Sequence, residues 1–359
     1  MSSLQDSSGA SRGFTAELRD AVSVRAALLV LSTLLLQFGF IVSYVGALHH
    51  PLPHKASIGV VAPAGDGAKV VERLNALPGR PLDARPVSSE AEAVARIKAL
   101  KLYSAYVPDP AGTRDRLLVA SASGASLTTA IERNMEAVVA SQHRTLSVRD
   151  VVPVSRSDQN GLSSFYLAVG WCVGGYLVAA ILGISAGARP ANRGRAAIRL
   201  GVLALYSVVA GLGGAVIVGP VLGALPAGIP ALWGIGTLVV FAVGACTMAL
   251  QCFLGVVGIG LAVLLFVILG NPSAGGVYAP PMMPPFWRAI GPWFPNGAAT
   301  SLNRDHAYFG GVKTTVPWLV LTVWAVVGAV LTLLASAVRG RTGARAAAAS
   351  ATPDGRSTP

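Results

Sequence analysis

The side chains that could do acid–base, metal or nucleophilic chemistry are few, and their spacing argues against it. His49, His50 and His54 cluster along the chain. No acidic residue or cysteine stands beside them, and Pro51 and Pro53 break any regular ligand spacing, so they do not read as a metal site. Cys172, Cys246 and Cys252 all lie in apolar runs and read as small packing residues, not as a disulfide framework or a metal set. No G-x-x-x-x-G-K-[ST] phosphate loop occurs, which excludes ATP binding by that route. Residues 49–160 hold no G-x-S-x-G elbow and a single interior histidine, His143. Neither catalysis nor a cofactor is expected, and the chain does not read as an enzyme.

The most unusual segment is 271–313, which contains seven prolines. Its centre, MMPPFWRAIGPWFPNGAA over 282–299, is too apolar for a solvated loop and too proline-rich for a straight span. Non-helical backbone at membrane depth survives only where protein or a water-lined cavity satisfies it. Short re-entrant or interfacial helices are therefore expected, with Trp287 and Trp293 at headgroup level; a loop lying on the outer rim is the alternative. Arg288 and Arg304 are among the few charges on this side, placed either to meet an anionic group or to snorkel. Trp287, Arg288, Trp293 and Arg304 are thus the candidate outer-gate or substrate contacts. Gly170 with Gly174, and Gly211 with Ala215, have the small-x-x-x-small spacing that lets helices approach closely, within one bundle or across a dimer seam.

The elements carrying these residues follow from composition. Only 12% of residues are charged and 53% are hydrophobic, whereas soluble domains are roughly a quarter charged. The deficit is local: residues 55–158 hold 14 Lys+Arg and 11 Asp+Glu, but after Gly161 the acids are Asp305 and Asp354 alone. The net charge of +12 sits in short runs beside apolar stretches, Arg189, Arg193, Arg195 and Arg199, then Arg339, Arg341 and Arg345. That is the positive-inside pattern of a bilayer protein, not a nucleic-acid surface. Spans are expected at 26–48, 162–184, 198–219, 317–338 and twice within 231–270, which turns near Gln251. A helix needs about 20 residues to cross. No Asp, Glu or Lys lies inside these spans, and Arg199 stands only at the start of the third, so self-contained proton coupling is not expected.

Between the first two spans, 49–160 reads as α/β. Strands are expected at 56–61, 82–87, 105–107, 117–120 and 145–154. Helices are expected at 66–77, from an N-cap at Ser89 to Leu100, and at 126–141 with Leu127, Ile131, Met135 and Val139 on one face. Strands alternating with helices imply a mixed or parallel sheet with helix cover. The expected fold is a six-helix all-α transmembrane bundle with an inserted extracytoplasmic α/β domain. A cytoplasmic segment (1–25), either an amphipathic helix over 14–25 on the inner membrane face or a solvated tail, precedes it, and a disordered basic cytoplasmic tail (339–359) follows.

Three stretches carry a family resemblance: GLSSFYLAVGWCVGGY (161–176), NPSAGG (271–276), and FWRAIGPWFPNGAA (286–299) with AYFGG (307–311). With the one-plus-five span layout, they resemble the permease-like proteins related to phage-infection and nitrosoguanidine-resistance proteins. That group is itself similar to type 2 ABC exporter membrane subunits. The resemblance implies a plasma-membrane permease subunit exporting an amphipathic or lipid-like compound, working as a homodimer with a separate ATPase subunit, and places 280–299 at an outer gate. The loop 186–195 is short, Arg-rich and without acids, which departs from the ATPase-docking loop of those exporters. The rival expectation is a membrane-anchored receptor or scaffold presenting the α/β domain.

Overall fold

The computed structural model describes residues 23–61 and 66–350. The amphipathic helix expected over 14–25 falls almost wholly outside them, as does the end of the tail from 351. Ser23 caps the first helix, α1 (Val24–Leu48), its side chain accepting from the Ala26 amide at 3.2 Å. Almost the whole surface of α1 is uncovered, a state that suits apolar side chains only in lipid.

The α/β segment folds as expected from its alternation. Strands β1 (Ala56–Val61), β2 (Leu82–Val87), β3 (Ser104–Val107), β4 (Arg114–Val119) and β5 (Thr145–Asp150) form one sheet of order β2-β1-β3-β4-β5. β1 is parallel to both β2 and β3, β3 and β4 form an antiparallel hairpin, and β5 is parallel to β4. Helices α2 (Asp66–Asn75) and α4 (Ala125–Ala140) cover one face, where Leu74, Leu127, Ile131, Met135 and Val139 pack on Ile58, Val60 and Leu117. Helix α3 (Glu90–Lys98) covers the other with Ala93 and Ile97. Ser89 caps it as its sequence position predicts, accepting from the Glu92 amide at 3.2 Å.

One carboxylate ties the hairpin to the rest of this domain. Asp115 is fully buried and accepts from Arg144 (2.8 and 2.5 Å), the Tyr106 hydroxyl (2.7 Å) and the Asp109 amide (2.8 Å). Burial alone would raise its pKa, but these hydrogen bonds outweigh it and hold the carboxyl below its ordinary value.

Among the described residues, five helices are long and apolar enough to span: α1, α5 (Ser163–Ser185), α6 (Arg193–Val216, continuing to Val221), α7 (Ile229–Leu254) and the first part of α11 (Thr315–Ser350). The second crossing expected within 231–270 is not among them. The apolar run does reverse, at Gly255 with φ +64°, but its second half, α8 (Val257–Ser273), has only 17 residues, about 25 Å of helix. It runs beside α1 in the same direction, Gly260 near Leu36 and Ser43 bonded to the Ile268 carbonyl. The chain then bends into the proline-rich segment instead of extending the helix. α11 continues through 339–350, the first part of the basic tail, in keeping with its run of alanines.

α7 is the axis of the bundle, the most buried of the long helices. Glycines set its contacts. A Cβ on Gly175 of α5 would lie 2.7 Å from the Val240 carbonyl oxygen, and one on Gly211 of α6 would lie 2.5 Å from the Thr237 nitrogen. Gly328 of α11 meets the Cys246 backbone in the same way. Of the four small residues singled out by spacing, Gly211 and Ala215 pack inside the bundle. A methyl group on Gly170 would have nothing within 4 Å, and one on Gly174 would meet only Tyr206.

Two outcomes are expected. Gly175→Ala destabilises the detergent-solubilised protein by about 1–3 kcal/mol through overpacking, while Gly170→Ala leaves thermal unfolding unchanged or slightly improved. For Asp115, a depressed folded pKa gives stability that is present above the unfolded carboxylate value and lost as pH falls through the folded one. Asp115→Ala should therefore cost about 2 kcal/mol near neutral pH, with a flatter loss of melting temperature on acidification than wild type shows.

Candidate functional site

The segment after α8 is positioned by irregular backbone whose polar groups find side-chain partners. Residues Leu264–Leu269 of α8 are π-helical. π turns leave carbonyls that an α-helical ladder would have paired. The Phe266 carbonyl accepts from Asn296 (2.9 Å), the Val267 carbonyl from Tyr44 (3.5 Å) and the Ile268 carbonyl from Ser43. Asn296 also donates to Asn271 (2.6 Å), which donates to the Tyr44 hydroxyl (3.1 Å). This buried network seats α10 (Pro295–Tyr308), whose Asn296, Thr300 and Asn303 are completely buried against the bundle. Asn303 donates to the Ser164 carbonyl at the start of α5 (3.0 Å). The approach is close: a Cβ on Gly270 would collide with Asn296 Oδ1, and one on Gly291 with the Ser273 carbonyl oxygen.

The short helix α9 (Pro285–Ile290) and the turn Gly291–Trp293 precede α10. Trp287 and Arg288 on α9 are half-buried, with Trp287 edge-on to Phe286. Trp293 is 63% exposed, and its carbonyl accepts from the Trp324 indole at 2.8 Å.

The α/β domain is seated on this segment. Ala279 and Met282 join the core under α2 and α4, and Phe309 joins the core under α3. The His54 amide donates to the Pro281 carbonyl (2.8 Å) and the Ser126 hydroxyl to the Val277 carbonyl (3.1 Å). Asp158 completes the joint by accepting from the Leu162 and Ser163 amides, both at 3.0 Å, at the start of α5.

A cavity of about 510 Å³ lies at this junction. The domain contributes Leu100, Leu102, Tyr103 and Ser123. Ser301, Arg304 and Asp305 come from α10, Val312 and Lys313 from the turn, and Thr315, Val316 and Pro317 from α11. Asp305 is buried with its carboxylate committed to the Val312 (3.1 Å) and Lys313 (2.6 Å) amides, closing the turn made by Gly310 and Gly311 at φ +69° and +78°. Lys313 reaches across to the Leu100 carbonyl (3.4 Å). Arg304 has one protein acceptor, the Gly275 carbonyl at 3.2 and 3.3 Å, and no ion pair among the described residues. Burial pushes the Tyr103 phenol up despite the pull of Arg304, so it remains a neutral hydroxyl.

Of the four candidate contacts, only Arg304 lines this cavity; Trp287, Arg288 and Trp293 stand apart from it. Tyr103 and Lys313 were not singled out by sequence, because nothing local marks them. Two further grooves face outward from the bundle: one of about 560 Å³ between α6 and α7 at Trp233 and Phe241, and one of about 360 Å³ between α5 and α6 containing Gly170 and Gly174. His49 and His54 turn ring nitrogens to the Val45 (2.8 Å) and Gly79 (3.3 Å) carbonyls, and no metal-holding group of three ligands occurs among the described residues.

Asn296→Ala should destabilise the protein by about 1–3 kcal/mol, because the Phe266 carbonyl and Asn271 lose a buried partner; thermal unfolding in detergent measures it, and an unchanged midpoint would mean that the network is dispensable. Compared with known proteins, the chain matches no family model, no curated sequence and no solved structure.

Proposed function

We propose that this integral membrane protein is a permease-type subunit that exports an amphipathic or lipid-like molecule. In this reading α8 is a short sixth crossing, both termini are cytoplasmic and the α/β domain is extracytoplasmic. A homodimer works with a separate ATPase, as the resemblance to type 2 exporter subunits implies. The observation that carries it is the junction cavity, which has mixed polar and apolar walls and lies where the domain meets α10 and α11. Re-entrant helices packed within a bundle, like α9 and α10, suit a gate that must part from its neighbours. The basic loop also supports the orientation: Arg189 donates to the Phe253 carbonyl near the Gly255 turn (3.1 Å), so both cytoplasmic turns of this reading meet at one end.

A second reading, a membrane-anchored receptor or scaffold, draws on the same loop. Arg189 and Arg199 are engaged with carbonyls of the protein itself, Arg199 with those of Gly187 (2.8 Å) and Ala186 (2.5 Å). That leaves a short surface for an ATPase to grip.

Purification from the native membrane with identification of bound proteins separates the two. A stoichiometric ATPase is expected for the exporter; an envelope protein with no ATPase supports the receptor. In vesicles reconstituted with that partner, Trp287→Ala and Trp293→Ala should each lower export of a fluorescent lipid about tenfold, roughly 1.4 kcal/mol of barrier. Unchanged export would remove 280–299 from the gate.

A further inference from the structure

The junction cavity contains a cation without an ion-pair partner among the described residues, with only the field of Asp158 and one carbonyl at the end of α8 to answer it. A guanidinium carries five N–H donors. Arg304 directs its two terminal nitrogens to one neutral carbonyl, that of Gly275. The nearby carboxylates are committed elsewhere: Asp305 to two turn amides, and one oxygen of Asp158 to the first amides of α5, its other oxygen being buried without a partner. Partly buried charge without a counter-ion is costly, so an anion from outside the chain is stabilising here. Lys313 adds a second cation to the lining, and Tyr103 adds a hydroxyl. The planar fork of arginine matches carboxylate and phosphate oxygens in pairs.

The volume and the remaining walls say that a bare anion is not enough. About 510 Å³ is the size of a site for an organic molecule, not an inorganic ion. The lining also carries apolar side chains, Leu100, Leu102, Val312 and Pro317. Val316 lines the cavity yet is 54% exposed, in the first turn of α11, the helix that continues as a span. A chain leaving the cavity past Val316 is led along α11.

We infer that this cavity binds the anionic headgroup of an amphiphile, a phosphate or carboxylate held by Arg304 with Lys313, its apolar tail passing Val316. This rests on the exporter reading for its purpose but not for its test.

The test uses the full-length protein in a neutral detergent, with native mass spectrometry counting retained lipid. Dioleoyl phosphatidylglycerol is the anionic probe, dioleoyl phosphatidylcholine the zwitterionic one, and inorganic phosphate the competitor. Wild type should retain phosphatidylglycerol over phosphatidylcholine, and millimolar phosphate should not displace it. Arg304→Gln should weaken phosphatidylglycerol retention about tenfold and Arg304→Lys less. Lys313→Gln and Val316→Trp, both at exposed positions, should weaken it without lowering the melting temperature. Equal retention by folded Arg304→Gln overturns the inference; if that variant does not fold, equal retention by both Lys313→Gln and Val316→Trp does so. Displacement by phosphate alone overturns the amphiphile and leaves a small-anion site. Selective lipid binding with no ATPase partner leaves the headgroup site standing while the exporter falls. Partner-driven export that is indifferent to Arg304→Gln does the reverse.

Discussion

The bundle depends on how closely other backbones can approach α7. Between apolar helices in lipid there is no water to expel, so association rests on van der Waals contact and on hydrogen bonds. α7 presents Gly236 and Gly244, and its neighbours present Gly211, Gly175 and Gly328. At these points a single methyl would reach backbone atoms or a packed side chain: Gly236 meets the Trp171 ring and the Gly211 Cα, and Gly244 meets Leu203 and the Gly175 carbonyl. Three helices are thereby fixed around one axis, and α10 enters between α5, α7 and α11.

That fixed bundle is what makes the irregular segment tolerable in polar terms. The π stretch of α8, the turns around Gly275 and Gly291 and the proline-started helices all interrupt the regular ladder. Each interruption must be answered by a side chain because no solvent reaches it. Asn296, Asn271, Tyr44 and Ser43 supply the answers, from three different helices. α10 held in this way presents Arg304 and Asp305 to the junction, and the segment before it supplies Ala279 and Met282 to the core of the α/β domain. The domain is thus not a tethered appendage; its own hydrophobic core is completed by residues of the membrane part.

Much of this was legible from local pattern. β1 and β2 run over the limits expected of them, Ser89 marked its helix, and the 3.6-residue spacing of Leu127, Ile131, Met135 and Val139 set the buried face of α4. Where pattern failed, the missing quantity was relational. G-x-x-x-G spacing says that small residues share a face, not which neighbour they meet: on α5 the glycine in contact with α7 is Gly175, one position beyond the motif and about 100° further round the helix. Counting 40 uncharged residues in 231–270 promised two full spans, but the break at Gly255 and the bend after Ser273 shorten the second. The junction cavity joins Leu100, Arg304 and Val316, residues far apart in sequence, so no window of the chain contains it. Only the scarcity of charge beyond Gly161 pointed to Arg304.

That scarcity matters because the few charges of the membrane part are used in two ways. At the end of the bundle bearing the 186–195 loop, Arg189 and Arg199 close helix C-termini, where unpaired carbonyls and the negative end of the helix dipole welcome a cation. At the other end Asp305 closes a turn with two amides. Arg304 also meets a helix end, since Gly275 follows the C-cap Ala274 of α8, but unlike Arg189 and Arg199 its side chain lines the junction cavity as well. A neutral side chain there would avoid the cost of partly burying a charge. What the arginine adds is a positive field and spare donors on the lining of the cavity.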